Sequence, residues 1–344
     1  SYMLSFASVT GVLVHVGLFH GKTLYRQLRA SPMSATDIHN RLMSNYKEAP
    51  YLWYLILFLL AFAMGVGGIH GWDTGMNAGH FVLAIVIGAV FMVPIGVIMA
   101  LSNMEVGLNM ISELIIGYMN PGYPIAMMIF KTTMYMITYQ SIQFIQDHKL
   151  AHYMKVPPRS VFMAQVYATA VGGVVQLAVQ TWAFSNIDEI CTPHQIDKFN
   201  CASYKVFGTA SIIWGLIGPA KTFSVGRHYA HLMYGFLFGA LAPIPIWLLA
   251  KKYPKSGWRM VNMPVIFTGT GNIPPATGVN YLPAILIGFF TQFIWKRKHS
   301  LSWSKYNYIL SAALNAASAI ATVFIFFTLQ YPNGPDEDFL NDGW

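Results

Sequence analysis

The chain has 344 residues, of which 55% are hydrophobic and only 10% charged, and its mean hydropathy is +0.47. An ordinary soluble domain is about 25% charged, so this composition argues against a soluble enzyme. It also excludes disorder, collagen-like repeats and a disulfide-dense secreted scaffold. What remains is a polytopic α-helical membrane protein, in which a net charge of +8 should appear as positive loops on one face and not as a nucleic-acid surface.

The chain is apolar almost from Ser1, with no charged region or cleavage site ahead of the first apolar stretch. This start does not read as a signal peptide, and the piece is expected to come from a longer protein. Apolar runs of roughly 17–25 residues cross a bilayer as helices. They are predicted at 2–20, 51–69, 79–101, 122–145, 160–184, 229–250, 279–295 and 306–329. Weaker stretches at 103–119, 208–224 and 261–277 are interrupted by Gly, Pro, Asn or charge. They read as broken or re-entrant segments, tolerated at membrane depth where they line a cavity or pack in protein. The expected fold class is all-α, with roughly ten membrane helices in residues 1–329 and a polar acidic tail over 330–344.

The basic residues cluster in four loops. These hold Lys22, Arg26, Arg29, Arg41 and Lys47; Lys149, Lys155 and Arg159; Lys251, Lys252, Lys255 and Arg259; and Lys296, Arg297, Lys298 and Lys305. The positive-inside rule makes these cytoplasmic. The opposite loops, 70–78 and 185–207 with the tail, hold only Lys198 and Lys205 against eight acids. Loop parity then requires 103–119 to cross, 208–224 to re-enter and 261–277 to cross, which leaves the tail outside. Cys191 and Cys201 share the 185–207 loop, and two cysteines in one external loop point to a disulfide.

No phosphate loop, zinc-type spacing or GxSxG nucleophile is present, and Gly269-Thr270-Gly271 does not extend to a GxGxxG. No cofactor and no metal site are indicated. A transporter built from this chain would run on an ion gradient.

Five charges fall within membrane segments: Glu105, Glu113, Lys131, Lys221 and Arg227. Intramembrane charge is costly unless paired or hydrated, so each is a functional candidate. Glu105 and Glu113 lie about 80° apart and ~12 Å along one helix, with Asn109 between them. A carboxylate in a partly dry site can exchange a proton near neutral pH. Glu113 therefore reads either as a proton- or substrate-binding acid or as a structural partner of Lys131. Asn120-Pro121-Gly122 is either a helix interruption at a site or an external turn. Tyr139, Gln140, Gln143 and Gln146 form a polar strip leading to Asp147, suited to helix contacts or to a path lining. Trp214 reads as an interface anchor or as a stacking platform.

Several stretches are specific enough to carry a resemblance. They are Asn120-Pro-Gly-Tyr-Pro-Ile-Ala, Phe130-Lys131-Thr132, and Asp147-His-Lys-Leu-Ala-His-Tyr-Met-Lys-Val-Pro-Pro-Arg159. Further along come Phe207 to Ser211, Trp214 to Ala220, Pro264 to Thr277 with Asn280 and Tyr281, and Lys305 to Leu314. Together they resemble the oligopeptide transporter family, with its Asn-Pro-Gly and Lys-Ile-Pro-Pro-Arg motifs, and most of all fungal small-oligopeptide transporters. The resemblance implies a protein about twice this length, of which this is the C-terminal half, in a plasma membrane. It also implies proton-driven import of small peptides, with glutathione or metal chelates as alternative cargo. Two departures stand out: Leu314-Asn315-Ala316-Ala317 has an amide where the family commonly has an acid, and Met127 replaces a common Asn.

The expected function is thus half of a secondary active transporter, not an enzyme, whose partners are peptide, protons, lipid and the missing N-terminal half. A channel or a peptide-binding receptor is the alternative of another class. The candidate substrate or coupling residues are Glu105, Asn109, Glu113, Asn120, Lys131, Tyr135, Gln140, Gln143, Trp214 and Asn272, with Glu113 and Lys131 as anion and cation on opposite walls. The candidate gate residues are Pro121, Gly122, Asp147, Lys149, Lys155, Pro157, Pro158, Arg159 and Lys221.

Overall fold

Helix is the only regular structure among the described residues of the computed structural model, which are 2–29, 38–192, 201–224, 226–269 and 278–330. In chain order the helices are α1 (Tyr2–Arg29), α2 (Ile38–Met43), α3 (Tyr51–Gly71), α4 (Ala78–Ser102), α5 (Asn109–Met119), α6 (Pro124–Met154) and α7 (Pro158–Asn186). Next come α8 (Ala202–Ala210), which continues as a π-helical turn over Ser211–Ile217, and then α9 (Pro219–Thr222), α10 (Tyr234–Leu241), α11 (Pro243–Lys252) and α12 (Met263–Thr268). The last are α13 (Gly278–Gly288), α14 (Lys296–Lys298) and α15 (Ser300–Ile325).

Seven helical runs are long and apolar enough to cross a membrane: Tyr2–Gln27, Tyr51–Gly71, Ala78–Ser102, Pro158–Asn186, Ala230–Lys252, Gly278–Lys298 and Ser300–Thr328. They match seven of the eight strong predictions. The eighth, 122–145, is α6. It is long enough at 31 residues, but Lys131, Tyr139, Gln140 and Gln143 dilute its apolar character. Its buried residues Ala126, Phe130, Met134, Thr138 and Ile142 recur every fourth position, so one face of this helix is set in protein.

The chain divides into two compact units, residues 1–177 with 206–271 and residues 178–205 with 272–344. In the first, close helix contacts rest on small residues, as expected where lipid offers no hydrophobic drive between helices. α4 meets α6 at Gly88, where an added Cβ would stand 3.1 Å from the Met134 carbonyl oxygen. Thr138 Oγ1 donates to the Gly88 carbonyl oxygen across the same contact (3.3 Å). α10 lays Gly235 and Gly239 against the backbone of Met3 and Ala7 in α1, and Thr10 Oγ1 donates to the Phe236 carbonyl oxygen (2.8 Å). In the second unit, the basic turn after the π-helical Phe289–Trp295 places Lys296 over Trp303 (4.6 Å) and Arg297 over Phe293 (4.1 Å). Cys191 and Cys201 form the predicted disulfide.

The weak segments 103–119 and 208–224 are broken, as predicted. Residues 103–108 are not helical, and α5 runs for only 11 residues. Asn103, left-handed at φ 55°, ends α4. The Asn120 side chain donates to the Gly75 carbonyl oxygen (3.0 Å), which puts the 120–122 turn on the face of loop 72–77. That is the parity required if 103–119 crosses. The 208–224 stretch breaks at Gly218, where φ is +80°, and resumes as the one-turn α9. Of 261–277, α12 is placed, capped by Asn262 accepting from the Val265 N–H (3.4 Å). Asn272 lies outside the described residues, as does the tail beyond Gln330.

Candidate functional site

Two of the five charges at membrane depth, Glu113 and Lys131, meet at the contact of α5, α6 and the π-helical turn. α5 buries Ser112, Glu113, Leu114, Ile116 and Gly117. A carboxylate so enclosed must be paired or neutral, and Lys131, two turns into α6, meets Glu113 Oε1 at 2.5 Å. Glu113 is 1% exposed and Lys131 12%. Lys131 Nζ also lies over the Phe207 ring (4.8 Å). The second carboxylate oxygen, Glu113 Oε2, is buried with no hydrogen-bond partner. The opposite-walls arrangement expected for Glu113 and Lys131 is therefore replaced by direct pairing.

The π-helical turn is wedged into the α5–α6 crossing. The Gly122 N–H donates to the Gly215 carbonyl oxygen (2.9 Å), and a Cβ on Gly215 would stand 2.7 Å from the Pro124 Cα. On Gly117 it would stand 2.8 Å from the Trp214 carbonyl oxygen. Trp214 is 2% exposed. It stacks on Phe223 (4.9 Å) and meets Tyr2 edge-on (5.9 Å), so it serves as packing between elements and offers no free face to a peptide. Asn120, Pro121 and Gly122 form a turn that ties loop 72–77 to the π-helical turn.

Below the ion pair, α6 presents Tyr135, Tyr139 and Gln143 at four-residue spacing, each half-buried. The two tyrosine rings stack (5.7 Å between centroids, 20° between planes). Glu105 and Asn109, also half-buried, lie on the non-helical approach to α5 and at its first residue. Gln140 points outward. An open groove of about 480 Å³ elsewhere on α6, lined by Thr132, Thr133, Ser211 and apolar neighbours, holds none of these charges.

The 147–159 motif lies at the other end of α6. Lys155, left-handed at φ 60°, ends the helix. Its Nζ meets His39 Nδ1 (2.6 Å) and donates to the His152 carbonyl oxygen (3.1 Å). Arg159 Nε donates to the Glu48 carbonyl oxygen (3.1 Å), and its guanidinium lies over Trp53 (5.8 Å). Pro157 precedes α7 and Pro158 starts it between these ties, while Asp147 and Lys149 are exposed. Lys221 and Arg227 are exposed too, Lys221 on the one-turn α9 that packs at the outer end of α5 and Arg227 just beyond it. Sequence reasoning missed the role of His39. Its signal was only its place in the basic 21–49 segment.

The family model for the OPT oligopeptide transporter protein matches residues 1–329. The chain belongs to the OPT oligopeptide transporter family. Among its relatives, the "Sexual differentiation process protein isp4" of Schizosaccharomyces pombe is 45% identical over 98% of this chain and 43% of the relative. "Glutathione transporter 1" of the same yeast is 42% identical over 97% of the chain and 39% of the relative. "Oligopeptide transporter 1" of Saccharomyces cerevisiae is 41% identical over 100% and 43%. This OPT chain thus spans about two-fifths of the length of these relatives. No solved structure matches it. Membership of the family and the apolar helices make it an integral membrane protein.

Proposed function

We propose that this chain forms part of a proton-driven secondary transporter that imports small peptides across the plasma membrane. Residues 1–329 would be its transmembrane region and 330–344 a polar acidic tail. The observation that carries this reading is the buried Glu113–Lys131 pair with one carboxylate oxygen left free. A proton on Glu113 removes half of the ion pair and releases Lys131, and the freed ammonium is then available to a peptide carboxylate. Proton and substrate thereby favour the same altered state, which is what symport requires. The names of the yeast relatives support peptide or glutathione as cargo. Glutathione, itself a small peptide, remains the second reading because one relative carries its name.

The test uses the full-length protein. Glu113→Gln is expected to leave uptake insensitive to external pH. Lys131→Met is expected to weaken uptake of free-acid peptides about tenfold more than that of their C-terminal amides, the size of one lost charged contact. Undiminished pH dependence in the first variant, or equal losses in the second, contradicts the assignment.

A further inference from the structure

Two cations of the 147–159 motif fasten the segment ahead of α3 to the turn between α6 and α7. Lys155 Nζ meets His39 Nδ1 of α2 at 2.6 Å and donates to the His152 carbonyl oxygen. Both Lys155 and His39 are half-buried. The His39 ring stands edge-on to Tyr153, 5.0 Å between centroids, with the His152 ring 6.5 Å away. Further along the same segment, the Glu48 carbonyl oxygen accepts from Arg159 Nε. The charge asymmetry puts this face in the cytoplasm. An ammonium offers donors and no acceptor, so His39 Nδ1 is the acceptor and the imidazole in this contact is neutral. A proton on Nδ1 removes the acceptor and sets two cations against each other. Histidine is the side chain whose charge ordinarily changes between about pH 5 and 8. The titratable groups that face His39 from α6 are Lys155, His152 and Tyr153. On its own element Arg41 follows it, and Asp37, ahead of it, lies outside the described residues.

We propose that residues 38–48 form a cytoplasmic strap whose fastening to the α6–α7 turn is released by protonation of His39. The fastened strap excludes a proton that the released strap takes up, so acid favours release and neutral pH favours fastening. α3 begins at Tyr51, just past Glu48, and α7 at Pro158. While fastened, the strap therefore joins the inner ends of α3, α6 and α7. It senses pH on the face to which the proposed transporter delivers protons, and the sensing itself does not depend on what is transported.

The test measures deuterium exchange of the full-length protein in detergent at about pH 8 and about pH 5, either side of the histidine range, corrected for the intrinsic effect of pH on exchange. α2 has six residues, too few to hold a helix alone, so the protection of its amides reports the fastening. In the wild type that protection is expected to fall at least about tenfold at the lower pH, the ratio that one pH unit of proton linkage supplies, while α4 keeps its own. His39→Gln keeps an acceptor that takes no proton, and its α2 protection is expected to be the same at both pH values. Lys155→Gly suits the left-handed end of α6 and removes the ammonium. Its α2 protection at the higher pH is expected to be about tenfold below wild type, the worth of one charge-assisted hydrogen bond. Equal wild-type protection at both pH values overturns the proposal. So does an acid loss that persists in His39→Gln, or full protection in Lys155→Gly. If His39→Gln does not fold, the wild type and Lys155→Gly decide.

Discussion

Glu113 and Lys131 show what a residue-level reading of charge gives and where it stops. Charge within apolar segments let them be named as candidates, but not their distance, because that depends on how α5 folds back along α6. With the pair formed at 2.5 Å in a site where Glu113 is 1% exposed, removing one partner strands the other. Lys131→Met alone is expected to destabilise the folded protein by about 3–5 kcal/mol, and the Glu113→Leu/Lys131→Met double variant to recover most of it. Thermal unfolding in detergent checks this. Additive losses would show that the pair contributes no coupling. Trp214 makes the same point in reverse. A Trp beside Gly and Pro is equally suited to a site and to packing, and only its contacts with Phe223 and Tyr2 decide for packing.

Among the elements, the apolar runs were legible because a bilayer imposes both length and composition. The breaks at 103–108 and Gly218 were legible because Asn, Gly and Pro disfavour helix. α6 was legible as a helix, but not as one so deeply set in protein, since its buried face is spread over every fourth residue. The wedge of the π-helical turn into the α5–α6 crossing left no sequence signal beyond its glycines. Gly117 faces the Trp214 carbonyl oxygen and Pro219 with no room for a methyl group. Gly117→Val is therefore expected to cost about 1–3 kcal/mol by overpacking, and to lower the yield of folded protein in detergent. Wild-type stability in that variant would show the wedge to be loose.

For the whole molecule, the asymmetry of charge gave an orientation before any coordinate did, and the Asn120–Gly75 contact agrees with it. The same asymmetry puts the Cys191–Cys201 disulfide on the expected external, acidic side. After reduction, a membrane-impermeant maleimide applied from outside intact cells should label both cysteines, and labelling only after permeabilisation would reverse the orientation. The central claim is that proton movement drives peptide movement through the α5–α6 site. Its most direct test is accumulation of a labelled tetrapeptide by the full-length protein, with and without an inward proton gradient and against glutathione and metal-chelate competitors. Saturable accumulation above the external concentration, lost when the gradient is collapsed, is the expected result. Flux that only equilibrates and ignores the gradient would contradict it.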